Sequence, residues 1–333
     1  MTSNEHPDSE HPFSQLNPDF IMDAIESVGY RCDARNLELN SYENRVFQIG
    51  IEDSEPVIAK FYRPGRWSLE QIREEHDFTI ELKDHGLSVV APLAINDQTC
   101  FQYEGFNIAI FPRRGGRAPA VDDLDCLEVL GRFIGRLHAV GASDRFSYRP
   151  TISIEEYGIS SRSWLLDHNF IPDELRESYS TVTEPLLALI QDRFDLAAPG
   201  LIRLHADCHM GNVLWREDQP HFVDFDDARM GPAVQDLWML LSGDEDSQSI
   251  QMNRILKGYR DFRDFNTSEL LLIEPLRTLR MMYHAAWLAR RWDDPAFPRA
   301  FPFFNTQRYW SEHILELREQ WAAIEAPAIS LYS

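Results

Sequence analysis

The sequence predicts an α+β fold with two lobes, a small N-terminal lobe built on an antiparallel sheet and a larger, mainly helical C-terminal lobe. Short runs of β-branched and aromatic residues dominate the first third of the chain, and such runs are typical of strands. The turn-rich connector Pro112-Arg113-Arg114-Gly115-Gly116 follows. Beyond it, apolar residues recur at helical spacing. We therefore expect a polar, disordered tail over residues 1–14, the N-terminal lobe over 15–112 and the C-terminal lobe over 113–333.

The N-terminal lobe is predicted to begin with a helix and to continue as strands. Apolar residues recur at helical spacing over residues 19–30. Residues 45–49 and 56–61 form two β-type runs separated by turn residues, which indicates a hairpin. Ser68 can cap a helix that runs to about residue 85, where Gly86 ends it. Three further segments are expected to complete the antiparallel sheet: residues 89–91, 99–103 and 106–111.

The C-terminal lobe is predicted to consist mainly of long helices. Leu127, Leu130, Ile134 and Leu137 mark one apolar helix face. Further helical segments are expected over residues 171–194, 270–292 and 305–324, and prolines interrupt the chain between the last two.

The charge of the chain limits its partners. With 32 basic and 54 acidic residues, its formal net charge is −22, whereas nucleic acids and anionic membranes attract basic surfaces. We therefore expect neither as a main partner, although local cations and a metal can still neutralise a small anionic ligand. The first eight residues lack the basic region and the apolar run of a signal peptide, and the sequence contains no apolar run of about 18 residues; we therefore expect neither a signal peptide nor a membrane span. Its four cysteines are scattered, which favours free thiols in a reducing cytoplasm.

Two motifs carry the chemistry. The first is His-x-Asp-x-x-x-x-Asn from His205 to Asn212, and the second is Asp224-Phe225 at the end of a short apolar run. Phosphoryl transfer uses an Asp that accepts the proton of the attacking hydroxyl, followed by an Asn and a second Asp that hold metal. We therefore expect Asp207 to be the catalytic base, with Asn212 and Asp224 as oxygen ligands of Mg²⁺.

The N-terminal lobe offers residues that could bind the phosphates of ATP. Lys60 ends the run Val57-Ile58-Ala59, a pattern in which a Lys neutralises the α- and β-phosphates when a helix carboxylate holds it. Glu75, or alternatively Glu74, is the expected partner. No G-x-G-x-x-G is present. A glycine-rich loop of that kind covers the phosphates in protein kinases. Residues 40–47 lie at the corresponding position, one hairpin before Lys60, and Ser41 with nearby backbone amides could donate hydrogen bonds to phosphate.

Several side chains near the motifs allow more than one interpretation. Asp226 could reach a second metal or simply be solvated. His205, Cys208 and His209 could instead bind zinc, but the glycine and apolar run that follow favour a loop that enters a strand. We expect His205 to pack beneath this loop and Asp236, at a helix start, to hydrogen-bond its backbone.

The motifs around Asp207 and Asp224 resemble those of the aminoglycoside phosphotransferase and choline kinase superfamily. Other segments are similar to its bacterial stress response kinases: residues 40–46, 60–64, 74–76, 231–241 and 291–298. The resemblance implies a bilobal protein-kinase-like fold and a cytoplasmic, monomeric serine/threonine protein kinase of the stress response that depends on ATP and Mg²⁺. By that resemblance Asp207 is the proton acceptor, Asn212 and Asp224 hold Mg²⁺, and Ser41 lies at the ATP site.

The class of acceptor stays open on the residues alone. A protein acceptor comes only from the resemblance. A small-molecule kinase of the aminoglycoside, choline or homoserine type would use the same catalytic residues, and an acidic chain suits a cationic substrate. A nucleotide-binding scaffold without activity is disfavoured because Lys60, Asp207, Asn212 and Asp224 are all present. Only residues 225–230 separate Asp224 from Gly231, so we expect no switching by phosphorylation of an activation loop.

Overall fold

The computed structural model describes residues 13–120, 123–216 and 219–331. The expected tail over residues 1–14 therefore lies outside the described residues, apart from its last two. The chain divides into two compact units. The first unit contains the chain up to Arg73 together with Ala91–Arg113 and Arg291–Pro302. The second contains Glu74–Val90, Arg114–Arg290 and the chain from Phe303 onward.

The strands and helices follow one another in a mixed order along the chain. The strands are β1 (Cys32–Leu39), β2 (Arg45–Ile51), β3 (Val57–Phe61), β4 (Phe101–Tyr103), β5 (Phe106–Pro112), β6 (Leu201–Leu204), β7 (Val213–Arg216), β8 (Gln219–Phe222) and β9 (Arg229–Pro232). The α-helices are α1 (Pro18–Ser27), α2 (Leu69–Asp84), α3 (Leu124–Gly141), α4 (Ser160–Asp167), α5 (Asp173–Ala197), α6 (Val234–Trp238), α7 (Glu245–Tyr259), α8 (Ile273–Arg290), α9 (Ala296–Ala300) and α10 (Gln307–Glu325).

The first unit is built on an antiparallel sheet in the order β1-β2-β3-β5-β4. Alternate residues of the central strands, including Ile49, Ala59 and Ile108, form a buried cluster with Ile21 and Ile25 of α1. This alternation follows from the two-residue period of a strand, which leaves the opposite face for other contacts. Lys60 points to that opposite face, because it is the neighbour of Ala59 in β3.

The second unit is mainly helical, with α3 and α7 packed closely side by side. Glycines allow this approach. A Cβ on Gly131 would lie 2.0 Å from the carbonyl oxygen of Ile255, and one on Gly135 would lie 2.5 Å from that of Tyr259. Two short antiparallel ribbons, β6-β9 and β7-β8, accompany the helices.

The predicted fold class is confirmed, but several elements were not predicted, among them the helices α4 and α7. Residues 89–91 were expected in the sheet, but Val89 instead forms an isolated parallel bridge with Phe222 of the second unit. Conversely, β1 was not predicted, because its mixed burial gives no clean alternation of apolar and polar residues. Within the described residues, no helix combines the length and apolarity needed to cross a membrane.

Candidate active site

The loop that carries Asp207 is held from below by Asp236. Oδ2 and Oδ1 of Asp236 accept hydrogen bonds from the backbone amides of His205 (3.0 Å) and Ala206 (2.8 Å). Ala206 has a left-handed backbone with φ of 67°, which is uncommon for a residue with a Cβ. The two hydrogen bonds offset this strain and fix the direction in which the chain reaches Asp207. The expectation that Asp236 bonds the loop backbone is confirmed.

Asp207 lies in a polar and positively charged environment. Nη2 of Arg280 lies 2.7 Å from its Oδ1, while Nε2 of His209 lies 3.4 Å and Nδ2 of Asn212 3.3 Å from its Oδ2. Burial of Asp207 works to raise the pKa of its carboxyl group. The hydrogen bond from His209 and the charge of Arg280 outweigh burial and hold that pKa well below its usual range. Asp207 is therefore ionised, which is compatible with its predicted role as proton acceptor.

Asn212 and Asp224 adjoin the same end of the β7-β8 ribbon. Asn212 immediately precedes β7, Asp224 follows β8, and the amide of Val223 donates to the carbonyl oxygen of Asn212 at 3.0 Å. Nδ2 of Asn212 donates to the carbonyl oxygen of Asp207 at 3.0 Å, which leaves the amide oxygen of Asn212 as an available ligand. One amide oxygen and one carboxylate are hard donors that fit Mg²⁺, which completes its coordination with water and phosphate.

The turn after Asp224 is held by two buried arginines. Asp224 itself has φ of 60°, a left-handed conformation that Asp tolerates better than most residues. Arg149 donates to the carbonyl oxygens of Asp226 (2.6 Å) and Ala228 (3.1 Å). Arg229 donates to the carbonyl oxygen of Asp227 at 3.0 Å. This network fixes the backbone that presents the predicted metal ligand.

The structure decides between some of the open interpretations. Asp226 is 4% exposed, so the interpretation of Asp226 as a solvated residue was wrong. His205 is buried, contacts the ring of Phe225 and donates through Nε2 to the carbonyl oxygen of Val223 at 2.9 Å. Cys208 is also buried, and burial raises the pKa of its thiol, which disfavours the thiolate that zinc needs. No metal-binding group of three or more His, Cys, Asp or Glu occurs in the described parts of the chain.

The two adjacent glutamates of α2 have different surroundings. Glu74 accepts hydrogen bonds from the backbone amides of Ser147, Tyr148 and Arg149 at 2.5–2.8 Å. Glu75 is 2% exposed, and its Oε2 accepts a bond of 2.9 Å from Nη2 of Arg149. Because Glu74 is occupied by backbone amides, the geometry favours Glu75 as the buried carboxylate of this helix. Pairing of Glu75 with Lys60 stays a prediction.

Lys60 is buried in the first unit. The residue is 5% exposed, and Nζ lies 4.8 Å from the ring centroid of Tyr62. The interpretation of Lys60 as an ordinary surface lysine is therefore wrong. A buried ammonium group requires compensating contacts, and a lysine at the end of a central strand is a suitable place for a phosphate contact.

Ser41 lies in the turn between β1 and β2. This turn contains no glycine-rich motif, and arginine side chains hold its backbone instead. Arg63 donates to the carbonyl oxygens of Tyr42 (3.3 Å) and Glu43 (3.0 Å). Asp294, which belongs to the same unit, pairs with Arg63 at 2.7 Å. Ser41 and Asp294 line a cavity of about 580 Å³. Side-chain contacts thus fix a turn that a glycine-rich sequence would form through its backbone alone.

Three of the supporting residues were not found from the sequence. Arg280, Arg149 and Arg63 contact Asp207, the turn after Asp224 and the turn of Ser41, respectively. None of these arginines lies in the two chemical motifs, and their partners are far away in the sequence. Of the three, only Arg63 lies in a segment singled out from the sequence, namely residues 60–64, which are similar to those of bacterial stress response kinases.

Comparison with known proteins gives consistent results. Stress response kinase A of Escherichia coli (strain K12) is 45% identical over 325 residues, 97% of this chain and 98% of the relative. Serine/threonine protein kinase RdoA of Salmonella typhimurium is 45% identical over 326 residues, with the same coverage. The structure of amicoumacin kinase hAmiN in complex with AMP-PNP, Ca²⁺ and Ami is similar in fold, with a TM-score of 0.71, 19% identity and coverage of 94% and 95%.

A family model assigns the chain more directly. The model described as the phosphotransferase enzyme family matches residues 37–271. This range includes Ser41, Lys60 and both chemical motifs, and it extends over more than half of the chain. The chain therefore belongs to the phosphotransferase enzyme family.

Proposed function

We propose that the chain is a serine/threonine protein kinase of the bacterial stress response, which transfers the γ-phosphoryl group of ATP to a protein hydroxyl. The observation that carries this proposal is the arrangement of Asp207, Asn212 and Asp224. Asn212 bonds Asp207 directly and joins the backbone next to Asp224. The names of the relatives that are 45% identical support a protein acceptor, and the same resemblance supports a cytoplasmic monomer.

The proposed mechanism assigns a separate task to each side chain. Asp207 orients the acceptor hydroxyl and takes its proton as the oxygen bonds to the γ-phosphorus. The bond from the γ-phosphorus to the β,γ-bridging oxygen breaks, and ADP leaves with that electron pair. Asn212 and Asp224 would hold Mg²⁺, which when bound neutralises charge on the phosphates. Lys60, assisted by Glu75, and Ser41 would contact the phosphates of ATP.

Phosphate transfer from labelled ATP tests the proposal. Wild type, Asp207→Ala and the exposed control Asp192→Ala would each be incubated with Mg²⁺ and a generic basic protein. Parallel tubes would contain aminoglycosides, choline and homoserine. We expect label on protein Ser and Thr with the wild type and the control. Asp207→Ala should lower the rate by about 10²–10⁴-fold, the usual contribution of a general base, with little change in ATP binding.

Each other outcome would contradict a defined part of the proposal. Label only on a small molecule would reject the protein acceptor and keep the catalytic residues. Near-normal turnover by Asp207→Ala would reject Asp207 as the base. A wild type that labels no acceptor would contradict the proposed activity.

A further inference from the structure

Arg280 is a partly exposed residue of α8 that contacts the proposed catalytic base directly. Its side chain is 40% exposed, and its Nη2 lies 2.7 Å from Oδ1 of Asp207. A charge-assisted hydrogen bond of this length is among the stronger polar contacts in proteins. In the described ranges of the chain, Arg280 makes no other hydrogen bond or ion pair. Its guanidinium group is thus committed to Asp207.

The two oxygens of Asp207 are held unequally. Oδ1 receives the short bond from Arg280, whereas Oδ2 receives longer contacts from Asn212 (3.3 Å) and His209 (3.4 Å). Hydrogen bonds weaken as these distances lengthen. Oδ2 can therefore exchange its contacts for a hydrogen bond from an incoming hydroxyl more easily than Oδ1 can. The bond from Arg280 to Oδ1 meanwhile restricts rotation of the carboxylate.

Helix α8, which carries Arg280, is held in place by side-chain contacts with other parts of the second unit. Thr278 of α8 donates to Gln320 of α10 at 3.0 Å, and Tyr283 stacks on Tyr157 with ring centroids 4.3 Å apart. These contacts lie on either side of Arg280 along α8. A guanidinium group presented by such a helix can define the orientation of its partner, which precise placement of a catalytic group requires.

We propose that Arg280 is a positioning residue, which holds Oδ1 of Asp207 so that Oδ2 faces the acceptor hydroxyl. This inference rests on the proposed role of Asp207 as proton acceptor. Arg280 acts through Asp207 and not on the phosphates of ATP. Its removal should therefore slow the transfer step and leave nucleotide binding unchanged.

The test compares kcat and KM for ATP in five variants with those of the wild type. The variants are Arg280→Gln, Arg280→Lys, Asp207→Ala, the double variant Asp207→Ala/Arg280→Gln and the control Arg277→Gln. Arg277 lies on the same helix and pairs with Glu274 at 3.1 Å instead of with Asp207. Thermal unfolding of each variant would show that it is folded, and the lysine variant retains a charge at this position.

We expect Arg280→Gln to lower kcat by about tenfold to hundredfold, the effect of a misplaced reacting group, with KM for ATP within about twofold. Arg280→Lys should recover part of this loss, because it keeps the charge without the planar fork. The double variant should be no slower than Asp207→Ala, because residues that act as a unit are not additive. Arg277→Gln should behave as the wild type.

Three results would overturn the inference. Unchanged or faster turnover by Arg280→Gln would show that the contact does not assist transfer. A further loss of the same factor in the double variant would show that Arg280 acts independently of Asp207. An equal loss in Arg277→Gln would indicate a general effect on α8. A wild type without transfer would instead reject the proposed function itself.

Discussion

At the scale of single residues, the candidate site depends on contacts that the two predicted catalytic motifs do not specify. Asp207 can be identified from its sequence neighbours, yet its direction follows from the left-handed Ala206 and from Asp236. Its charge follows from His209 and Arg280. The sequence thus predicts which groups perform the chemistry, while the structure shows which groups orient them.

His313 makes the second unit sensitive to acid. It is 4% exposed and lies among the rings of Tyr179, Tyr309 and Trp310. Burial, and next the charge of His284, lowers the pKa of His313 to about 4. In the unfolded chain this histidine has an ordinary pKa of about 6.5. Between about pH 4 and 6.5 it therefore binds a proton in the unfolded chain more often than in the folded protein. His313 therefore does not reduce the free energy of unfolding above about pH 6.5, and it reduces that free energy progressively as the pH decreases toward 4.

The prediction concerns His313→Phe, which keeps a ring of similar size without the titrating group. The free energy of unfolding of the wild type should fall between pH 7 and pH 4.5 by about 2–3 kcal/mol more than that of the variant. Denaturant unfolding at both pH values measures it. The exposed His85→Gln is the control, and a loss of stability in His313→Phe equal to that of the wild type would contradict the prediction.

At the scale of elements, local signals and close packing both contribute. The helix start at Ser68 was predicted correctly, and Ser68 and Gln71 form a reciprocal capping box. By contrast, the contact of α3 with α7 has no local signal. It depends on glycines that look unfavourable for a helix when α3 is considered alone.

Gly131→Ala tests the contact between α3 and α7. Alanine is the better helix former by about 1 kcal/mol, so an isolated helix would gain stability. In the protein, the new Cβ would lie 2.0 Å from the backbone oxygen of Ile255, which cannot rotate away. We expect a net loss of about 1–3 kcal/mol in the free energy of unfolding.

Gly115→Ala is the control for this measurement, because among the described residues no atom outside its two chain neighbours lies within 4 Å of the position that its new Cβ would take. It should change the free energy of unfolding by less than about 0.5 kcal/mol. Equal stability of Gly131→Ala and the wild type would show that the two helices separate easily.

At the scale of the whole molecule, the first unit is assembled from three separate stretches of sequence. Residues 291–302 return to this unit, where Asp294 pairs with Arg63 at 2.7 Å and with Arg45 at 3.5 Å. The same two arginines donate to the carbonyl oxygen of Tyr42. Residues 291–302 therefore help to hold the turn of Ser41.

Asp294→Asn tests this long-range connection. The substitution removes one of the charges that compensate two largely buried guanidinium groups, while Glu43 still pairs with Arg63 at 3.2 Å. We expect a loss of about 1–3 kcal/mol in the free energy of unfolding, and a higher KM for ATP because the turn of Ser41 is loosened. The neighbouring Asp293 is exposed, so Asp293→Asn should have little effect on either quantity. Equal effects of the two substitutions would contradict the role of Asp294.

The predictability of each part depends on how local its cause is. The hairpin β2-β3, α2 and the helix around Leu130 follow from patterns within a few residues, and the structure contains them. The role of residues 291–302 could not be predicted, because ion pairs over more than 200 positions leave no periodic pattern. Lys60 and Asp207 were predicted as site residues because each lies in a local motif. Arg280 lies in no such motif, and its contact with Asp207 is visible only in the structure.

The discontinuous first unit also has a consequence for synthesis on the ribosome. Chains emerge at about 5–20 residues per second, so roughly 10–40 s separate the appearance of residue 113 from that of residue 302. During this interval Arg45 and Arg63 have no Asp294 to pair with. All five strands of the sheet are synthesised before this interval, but the first unit lacks residues 291–302 until they emerge, and a message truncated before the codon of Asp294 would yield a first unit without this ion pair.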